Sequence, residues 1–267
     1  MLYDLFLTFT KYCPKVMIKK LNQHIAIIEE SIDPDESIKP TIIVFLTVAV
    51  SLTVCRYFGQ FTDFDRFFVK GTDWKLSLND KVFYGKLWWA FIVFIAYVVI
   101  PLIVVKVFKL SKIKDLGLSG KGFFKHLPWY LLMILPMLII IWFVSKDNSF
   151  QQQYPFFKHE YWGHTGRFVC WELVYAFQFF CVEFFFRGFL LQIPKRKIGV
   201  IAVFVMIIPY CMIHYQKPLL ETTGAIFGGT ILGFMAIRTN SIYGGVIIHI
   251  FVAIAMDLAS LYRSGVI

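Results

Sequence analysis

Long apolar runs separated by short charged segments occupy the chain from residue 41 almost to its end. A helix needs about 20 apolar residues to cross a hydrocarbon core of about 30 Å. Backbone in lipid must also satisfy its hydrogen bonds within the segment, so each run predicts a helix. We therefore expect an all-α fold: a polytopic transmembrane helical bundle with about seven membrane segments, of which the first and fifth are short for a span. The runs are Thr41–Cys55, Leu87–Val105, Leu127–Val144, Val169–Leu191, Gly199–Ile213, Leu219–Ile237 and Ile242–Leu261.

The composition agrees with a chain that is solvated largely by lipid. Of its 267 residues, 58% are hydrophobic and 16% are charged, whereas about a quarter of the residues in a soluble domain are charged. The net charge of +10 favours membrane lipids with anionic headgroups as partners. The basic residues are scattered through inter-helical loops, which argues against a nucleic-acid partner. The five cysteines show no metal-ligand spacing, and we interpret them as small apolar residues.

Three regions follow from this pattern. Residues 1–40 form a charged, partly amphipathic N-terminal region that ends in a linker rich in turn residues, and we expect it to lie on a membrane surface. Residues 41–114 hold the N-terminal transmembrane helices. Residues 115–267 hold the remaining helices together with the polar residues that could carry chemistry.

The distribution of basic residues predicts an orientation. The loop Lys106–Lys125 holds six lysines and one acid, and the loop after the fourth run holds Lys195, Arg196 and Lys197. With seven spans, these two loops and the N-terminus share one side of the membrane. Loops rich in lysine and arginine stay in the cytoplasm. We therefore expect an integral protein of a bacterial cytoplasmic membrane with a cytoplasmic N-terminus.

Four ionisable residues interrupt the apolar runs of the C-terminal half. Glu183 and Arg187 are one helical turn apart and share a helix face. His214 ends the fifth run, and His249 lies in the middle of the seventh. Ionisable groups in a bilayer core persist where they pair, line a wet cavity or do chemistry. The four residues therefore predict a polar site between three helices inside the membrane.

The residue types leave several chemistries open. Glu183 and Arg187 can be an internal ion pair only, or Arg187 can keep Glu183 ionised for work on a water or a histidine. Glu183, His214 and His249 can hold a divalent metal such as zinc as a two-histidine, one-carboxylate triad with an open water position. They can equally form a metal-free site in which one histidine assists the oxyanion.

Other polar and small residues receive weaker interpretations. Glu221 follows Pro218 and fits a terminal acid in a first helical turn. Glu172 lies about 16 Å along the helix from Glu183, too far to join one site directly. Asp257 is expected near the membrane edge. The glycine pairs of the sixth run, Gly224 with Gly228 and Gly229 with Gly233, predict close helix packing.

Residues 115–257 resemble the CPBP intramembrane proteases, a family that includes CAAX prenyl endopeptidases and bacteriocin-processing or immunity proteins. The resemblance rests on the order and spacing of short motifs. They are Asp115–Leu118 before the core, Glu183-x-x-x-Arg187 for the family's Glu-Glu-x-x-x-Arg, Tyr210-x-x-x-His214 for Phe-x-x-x-His, Thr239–Ser241, and His249-x-x-x-Ala253 for His-x-x-x-Asn.

This chain departs from the family pattern at two polar positions. Val182 stands where the resemblance implies the glutamate that activates the attacking water and pairs with His214. Ala253 stands where it implies an asparagine that assists the oxyanion beside His249. A general base contributes about 10²–10⁴-fold to a rate, and an oxyanion donor contributes a comparable factor. Proteolysis then depends on whether Glu183 takes over as the base.

Three functions remain from the sequence. The first is an intramembrane endopeptidase, a hydrolase acting through Glu183, Arg187, His214 and His249 on a membrane-associated peptide or protein, such as a prenylated-type C-terminus. The second is a catalytically impaired pseudo-protease that binds or stabilises a membrane partner, as Val182 and Ala253 suggest. The third is a small transporter with a proton relay, although the chain shows no inverted repeat of the kind many transporters have.

Overall fold

Six helices in the described part of the chain are long and apolar enough to cross a membrane. The structure, a computed structural model, describes residues 35–121 and 123–267. The N-terminal region of residues 1–40, which is expected to lie on a membrane surface, therefore falls largely outside the described residues. The six candidate spans are Lys39–Phe58, Leu78–Val107, Phe123–Val144, Thr165–Leu190, Leu219–Thr239 and Tyr243–Arg263. A helical membrane bundle is confirmed.

The helices occur in the following order along the chain. Helix α1 is Lys39–Phe58, and the short α2 is Phe61–Phe64. The second span comprises α3 (Leu78–Phe94), a π-helical segment (Ile95–Val99) and α4 (Ile100–Val107). Then come α5 (Phe123–Val144), α6 (Asn148–Gln153), α7 (Thr165–Glu183), which continues as a π-helix (Phe184–Leu190), α8 (Lys195–Ile198), α9 (Ile201–Met212), α10 (Leu219–Thr239) and α11 (Tyr243–Arg263).

The two runs that looked short for a span differ in outcome. The first becomes the 20-residue α1, because the helix extends beyond the run at both ends, from Lys39 and Pro40 at its start, where proline is tolerated, to Phe58 at its end. The fifth remains short, since α9 has 12 residues. At a rise of 1.5 Å per residue it covers about 18 Å, roughly half of a bilayer core. Helix α9 thus ends at Met212 within the bundle, which places His214, two residues later, beside the helices that carry the other polar residues.

One end of the bundle gathers the basic loops. Arg196 donates from Nη2 to Ser111 Oγ at 2.7 Å, so the loop after the fourth span meets the loop after the second. The backbone N–H of Ile242 donates to the carbonyl of Gly117 at 2.9 Å and brings in the α10–α11 turn. These contacts place the Lys106–Lys125 loop and residues 195–197 at one end, as expected. A cytoplasmic location for that end remains a prediction.

The opposite end of the bundle is covered by residues 145–164. Ser260 of α11 donates from Oγ to the carbonyl of Tyr154 at 2.6 Å. Asp257 Oδ1 accepts from the backbone N–H of Phe156 at 2.9 Å. Lys158 donates to the carbonyls of Gln151 and Tyr154 and closes the segment on itself. We call residues 145–164 the covering segment, because they lie across the ends of α7 and α11.

Candidate active site

The fourth span changes its helical winding at the first polar residue. Glu183 is the last residue of α7, and Arg187 lies in the π-helix Phe184–Leu190. Short π-helical segments widen one turn and frequently occur at functional sites. Gly188 permits a close approach there, since a Cβ atom on it would lie 2.7 Å from the carbonyl oxygen of Leu116. The local winding therefore presses this turn against the loop that precedes α5.

Glu183 and Arg187 form an enclosed ion pair. Arg187 Nη1 lies 2.8 Å from Glu183 Oε1, and the two side chains are 0% and 1% exposed. The other carboxylate oxygen, Oε2, packs against Gly245 of α11. A Cβ atom on Gly245 would lie only 2.2 Å from it. Glu183 is thus surrounded by Arg187, Gly245 and His249. This enclosure leaves little room for a water to meet the carboxylate directly.

His249 continues the row of contacts that begins with Arg187 and Glu183 and ends at Tyr210. We call this row of four side chains the polar line. The Nδ1 atom of His249 lies 2.9 Å from Glu183 Oε1 and 3.1 Å from the carbonyl oxygen of Gly245. Both neighbours are acceptors, so Nδ1 carries the proton and Nε2 of the neutral ring is an acceptor. The Tyr210 hydroxyl lies 2.8 Å from Nε2 and donates to it. Phe179 stacks parallel to the imidazole at a centroid distance of 5.6 Å and holds its plane.

His214 joins the same group through Tyr210. The Nδ1–H of His214 donates to the carbonyl oxygen of Tyr210 at 2.8 Å, and the two rings lie 4.9 Å apart. Nε2 of His214 therefore carries the lone pair. Burial lowers the pKa of His214 to about 3, with the nearby Lys217 acting in the same direction. The ring is accordingly neutral at physiological pH.

Tyr210 is the residue that sequence reasoning undervalued. A tyrosine in place of the phenylalanine of the family motif is a small change of side chain. In the structure, however, the Tyr210 hydroxyl contacts His249 and the Tyr210 carbonyl orients His214. The Arg187 guanidinium also lies over its ring at 4.0 Å, a cation–π contact. The side chain is 3% exposed. Tyr210 thus contacts three of the four predicted site residues, namely Arg187, His214 and His249, and the only signal for it in the sequence is a hydroxyl in an apolar run.

The two departures from the family pattern have apolar surroundings. Val182 is half-buried and packs against the main hydrophobic cluster of the bundle. Ala253 is 4% exposed and belongs to an aromatic cluster with Trp171 and Tyr175. A methyl group and an isopropyl group can neither accept a proton nor donate a hydrogen bond. The two positions therefore contribute packing, and the polar chemistry is left to the line from Arg187 to Tyr210.

The two-histidine, one-carboxylate metal triad does not assemble here. In residues 35–121 and 123–267 no three His, Cys, Asp or Glu side chains are placed to hold a metal ion. His249 turns Nδ1 to Glu183 and Nε2 to Tyr210, while His214 turns Nδ1 to a backbone carbonyl. The donor atoms are directed at protein groups and do not converge on one point. These residues do not fit the zinc alternative.

A second polar layer lies in the same helix seam. Glu172 of α7 faces Asp257 of α11, a pairing that the sequence did not predict. Asp257 is 1% exposed, and Lys86 beside it is 6% exposed. The Lys86 ammonium lies 4.3 Å from the ring of Phe61, with further rings from the covering segment and α7 around it. The layer anchors the covering segment through the hydrogen bond from Phe156 to Asp257.

Glu221 and the glycines of α10 follow the sequence interpretation in part. Glu221 lies in the first turn of α10, where it pairs with Lys217 and accepts a hydrogen bond from the Tyr154 hydroxyl at 2.7 Å. Gly229 packs on Tyr210, since a Cβ atom there would lie 2.9 Å from that ring. Around Gly224 and Gly228, by contrast, no atom lies within 4 Å of such a Cβ. One glycine pair makes the close packing, and the other faces open space.

The part of the chain that holds this polar line matches a known family. Residues 165–255 match the profile of a family described as type II CAAX prenyl endopeptidase Rce1-like. This segment belongs to the CPBP family. The match begins at the start of α7 and ends within α11, so it includes Glu183, Arg187, His214 and His249. Comparison with the curated proteins and with the solved structures gives no match.

Proposed function

We propose that this chain is an intramembrane endopeptidase of the CPBP type that cleaves a membrane-associated peptide, with a prenylated-type C-terminus as the substrate class. The observation that carries the proposal is the buried line of Arg187, Glu183 and His249, with contacts of 2.8 and 2.9 Å. Buried ionisable groups inside a membrane bundle mark sites of function by default. The profile match over the same helices supports a protease rather than an unrelated carrier.

The geometry gives the two histidines different roles. Glu183 is enclosed, so it acts through His249 by fixing the ring and its tautomer, as a buried carboxylate does for a catalytic imidazole. His214 has its Nδ1–H on a carbonyl, which leaves Nε2 to accept a proton from water. The water oxygen then bonds to the peptide carbonyl carbon. When the C–N bond breaks, the proton on His214 passes to the leaving amine.

A pseudo-protease is the second candidate, and Val182 favours it. The resemblance implies a glutamate at this position that pairs with His214, and a carboxylate there would raise the basicity of the imidazole. Without it, burial holds the pKa of His214 near 3, far below the range in which a general base works best. The chain would then be a slow protease, or a binding protein that retains the CPBP cavity for a membrane partner.

A survey of protein termini in host membranes tests the two functions. Membranes that contain the wild type are compared with membranes that contain His214→Ala at the same protein level. New N- and C-termini that require His214 support the endopeptidase and reveal its substrates. Identical termini, together with partner proteins that change in abundance when the whole chain is removed, overturn the endopeptidase and support the pseudo-protease.

A further inference from the structure

Because Ala253 replaces the expected asparagine, the site still lacks an assigned hydrogen-bond donor for the oxyanion. The asparagine that would assist the oxyanion is Ala253, buried among aromatic rings. His249 is the other expected donor. Its Nδ1–H points to Glu183 and Gly245, and its Nε2 faces the hydroxyl of Tyr210. A neutral imidazole in this tautomer has a lone pair at Nε2 and donates nothing from it.

The Tyr210 hydroxyl, which lies next to His249 Nε2, is a hydrogen-bond donor at this position. We propose, on the basis of the endopeptidase function, that Tyr210 is a catalytic residue whose O–H stabilises the oxyanion of the tetrahedral intermediate. Its oxygen lies 2.8 Å from His249 Nε2. Tyrosine hydroxyls serve as oxyanion donors where burial strengthens the hydrogen bond. Without substrate, the Tyr210 hydroxyl donates its hydrogen bond to His249. When a peptide is bound, the same O–H donates to the peptide carbonyl oxygen instead.

The surroundings of Tyr210 hold the phenol in position before substrate arrives. Arg187 lies over the ring at 4.0 Å, and Phe186 meets it edge to face at 5.2 Å. Gly229 of α10 also packs against the ring, since a Cβ atom on it would lie 2.9 Å from a ring carbon. A ring clamped in this way loses little freedom on catalysis, which is the condition for an effective oxyanion donor.

The step balances without a further reactant. Water gives a proton to His214 Nε2 as its oxygen bonds to the carbonyl carbon, and the carbonyl π electrons move onto oxygen. That oxygen accepts a hydrogen bond from Tyr210. When the electrons return, the C–N bond breaks and His214 returns its proton to the amine nitrogen. His249 and Glu183 act as positioning residues for Tyr210, since neither needs to touch the substrate.

Tyr210→Phe isolates the hydroxyl, because phenylalanine keeps the ring contacts and is the residue of the family motif. The probe is a quenched fluorogenic peptide that ends in a farnesylated cysteine and three further residues, presented to purified protein in liposomes. We expect kcat to fall by about 10²–10³-fold with KM little changed. Tyr215→Phe, at an exposed tyrosine of the same region, is the control and should leave both constants unchanged. Ala253→Asn added to Tyr210→Phe should restore part of kcat.

The outcomes separate the two proposals. A wild type that cleaves, with a Tyr210→Phe variant of equal kcat, overturns the role of Tyr210 and leaves the endopeptidase standing. A Tyr210→Phe variant that loses kcat and melts at the wild-type temperature supports it. A fall in kcat that tracks a lowered melting temperature, without recovery by Ala253→Asn, overturns it in favour of a packing role. A wild type that cleaves neither the peptide nor the membrane proteins of its host overturns both proposals.

Discussion

Arg187 Nη1 lies 2.8 Å from Glu183 Oε1, and neither side chain is more than 1% exposed. Two full charges removed from water are tolerated only because they neutralise each other. The pair is also the fixed end of the polar line that reaches Tyr210 through His249. The folding of this helix turn and the chemistry of the site are therefore coupled through one contact.

Glu183→Gln should abolish cleavage and destabilise the fold. Glutamine keeps the shape but leaves the Arg187 charge buried without a counter-ion, a loss that amounts to about 3–5 kcal/mol for buried pairs. Cleavage and the melting temperature in detergent are the measurements. The double variant Glu183→Gln with Arg187→Met removes the unpaired charge, so it should recover the melting temperature and not the cleavage. Full activity in the single variant would exclude Glu183 from the site.

Gly245→Ala should disrupt the site through sterics alone. The added Cβ would lie 2.2 Å from Glu183 Oε2, a distance that forces α7 and α11 apart or turns the carboxylate away from His249. Overpacking of this kind typically destabilises a protein by about 1–3 kcal/mol. Gly224→Ala is the matched control in α10, because its Cβ would meet no atom within 4 Å. Equal melting temperatures for the two variants would contradict the close α7–α11 contact.

Val182→Glu combined with Ala253→Asn should raise the rate of cleavage. The glutamate would place a carboxylate where the resemblance expects a partner for His214, and the asparagine would add an oxyanion donor. Each group is worth about 10²-fold or more in enzymes that use it. The measurement is kcat on the farnesylated peptide. A folded double variant that is no faster than wild type would indicate that the α7–α11 seam differs from that of active CPBP proteases.

The stability of the protein should depend on pH through His214. Its pKa is about 3 in the folded state and about 6.5 in an unfolded chain. Below pH 6.5 the unfolded chain binds the proton that the folded ring refuses, so stability falls as pH falls. The slope is at most about 1.4 kcal/mol per pH unit from this group. His214→Gln should flatten the melting-temperature profile between pH 6.5 and 5, whereas His164→Gln, at an exposed residue, should not.

Asp257→Ala should release the covering segment without touching the Glu183 line. Asp257 Oδ1 accepts the backbone N–H of Phe156 at 2.9 Å, and its loss leaves a buried donor unsatisfied, at about 1–3 kcal/mol. Hydrogen exchange of residues 145–164 should accelerate, and the exchange of residues 183–190 should stay slow. Asp257→Asn keeps an acceptor oxygen and should retain more of the protection. Uniform acceleration throughout the bundle would point instead to global destabilisation.

Sequence reasoning located the spans and the polar residues because both depend on local chemistry. A run of apolar residues is costly to expose to water wherever it lies, and an ionised group is costly in lipid whatever its neighbours are. Glu183, Arg187 and His249 could thus be grouped from their helices alone, and the structure brings Arg187 and His249 each within 2.9 Å of Glu183. The motif order further pointed to the CPBP family, in agreement with the profile match.

Only the tertiary structure decided how the helices rotate about their axes and which side chains then meet. Glu172 and Asp257 lie 85 positions apart by number and face each other across one seam, a contact that no spacing rule predicts. Tyr210 looked like a mild change because its effect depends on the distance of its hydroxyl from His249. The free energy of burying a residue depends on its own segment, so it can be read from the sequence. The distances between side chains on different helices depend on how the bundle packs, and these distances determine which residues can act together.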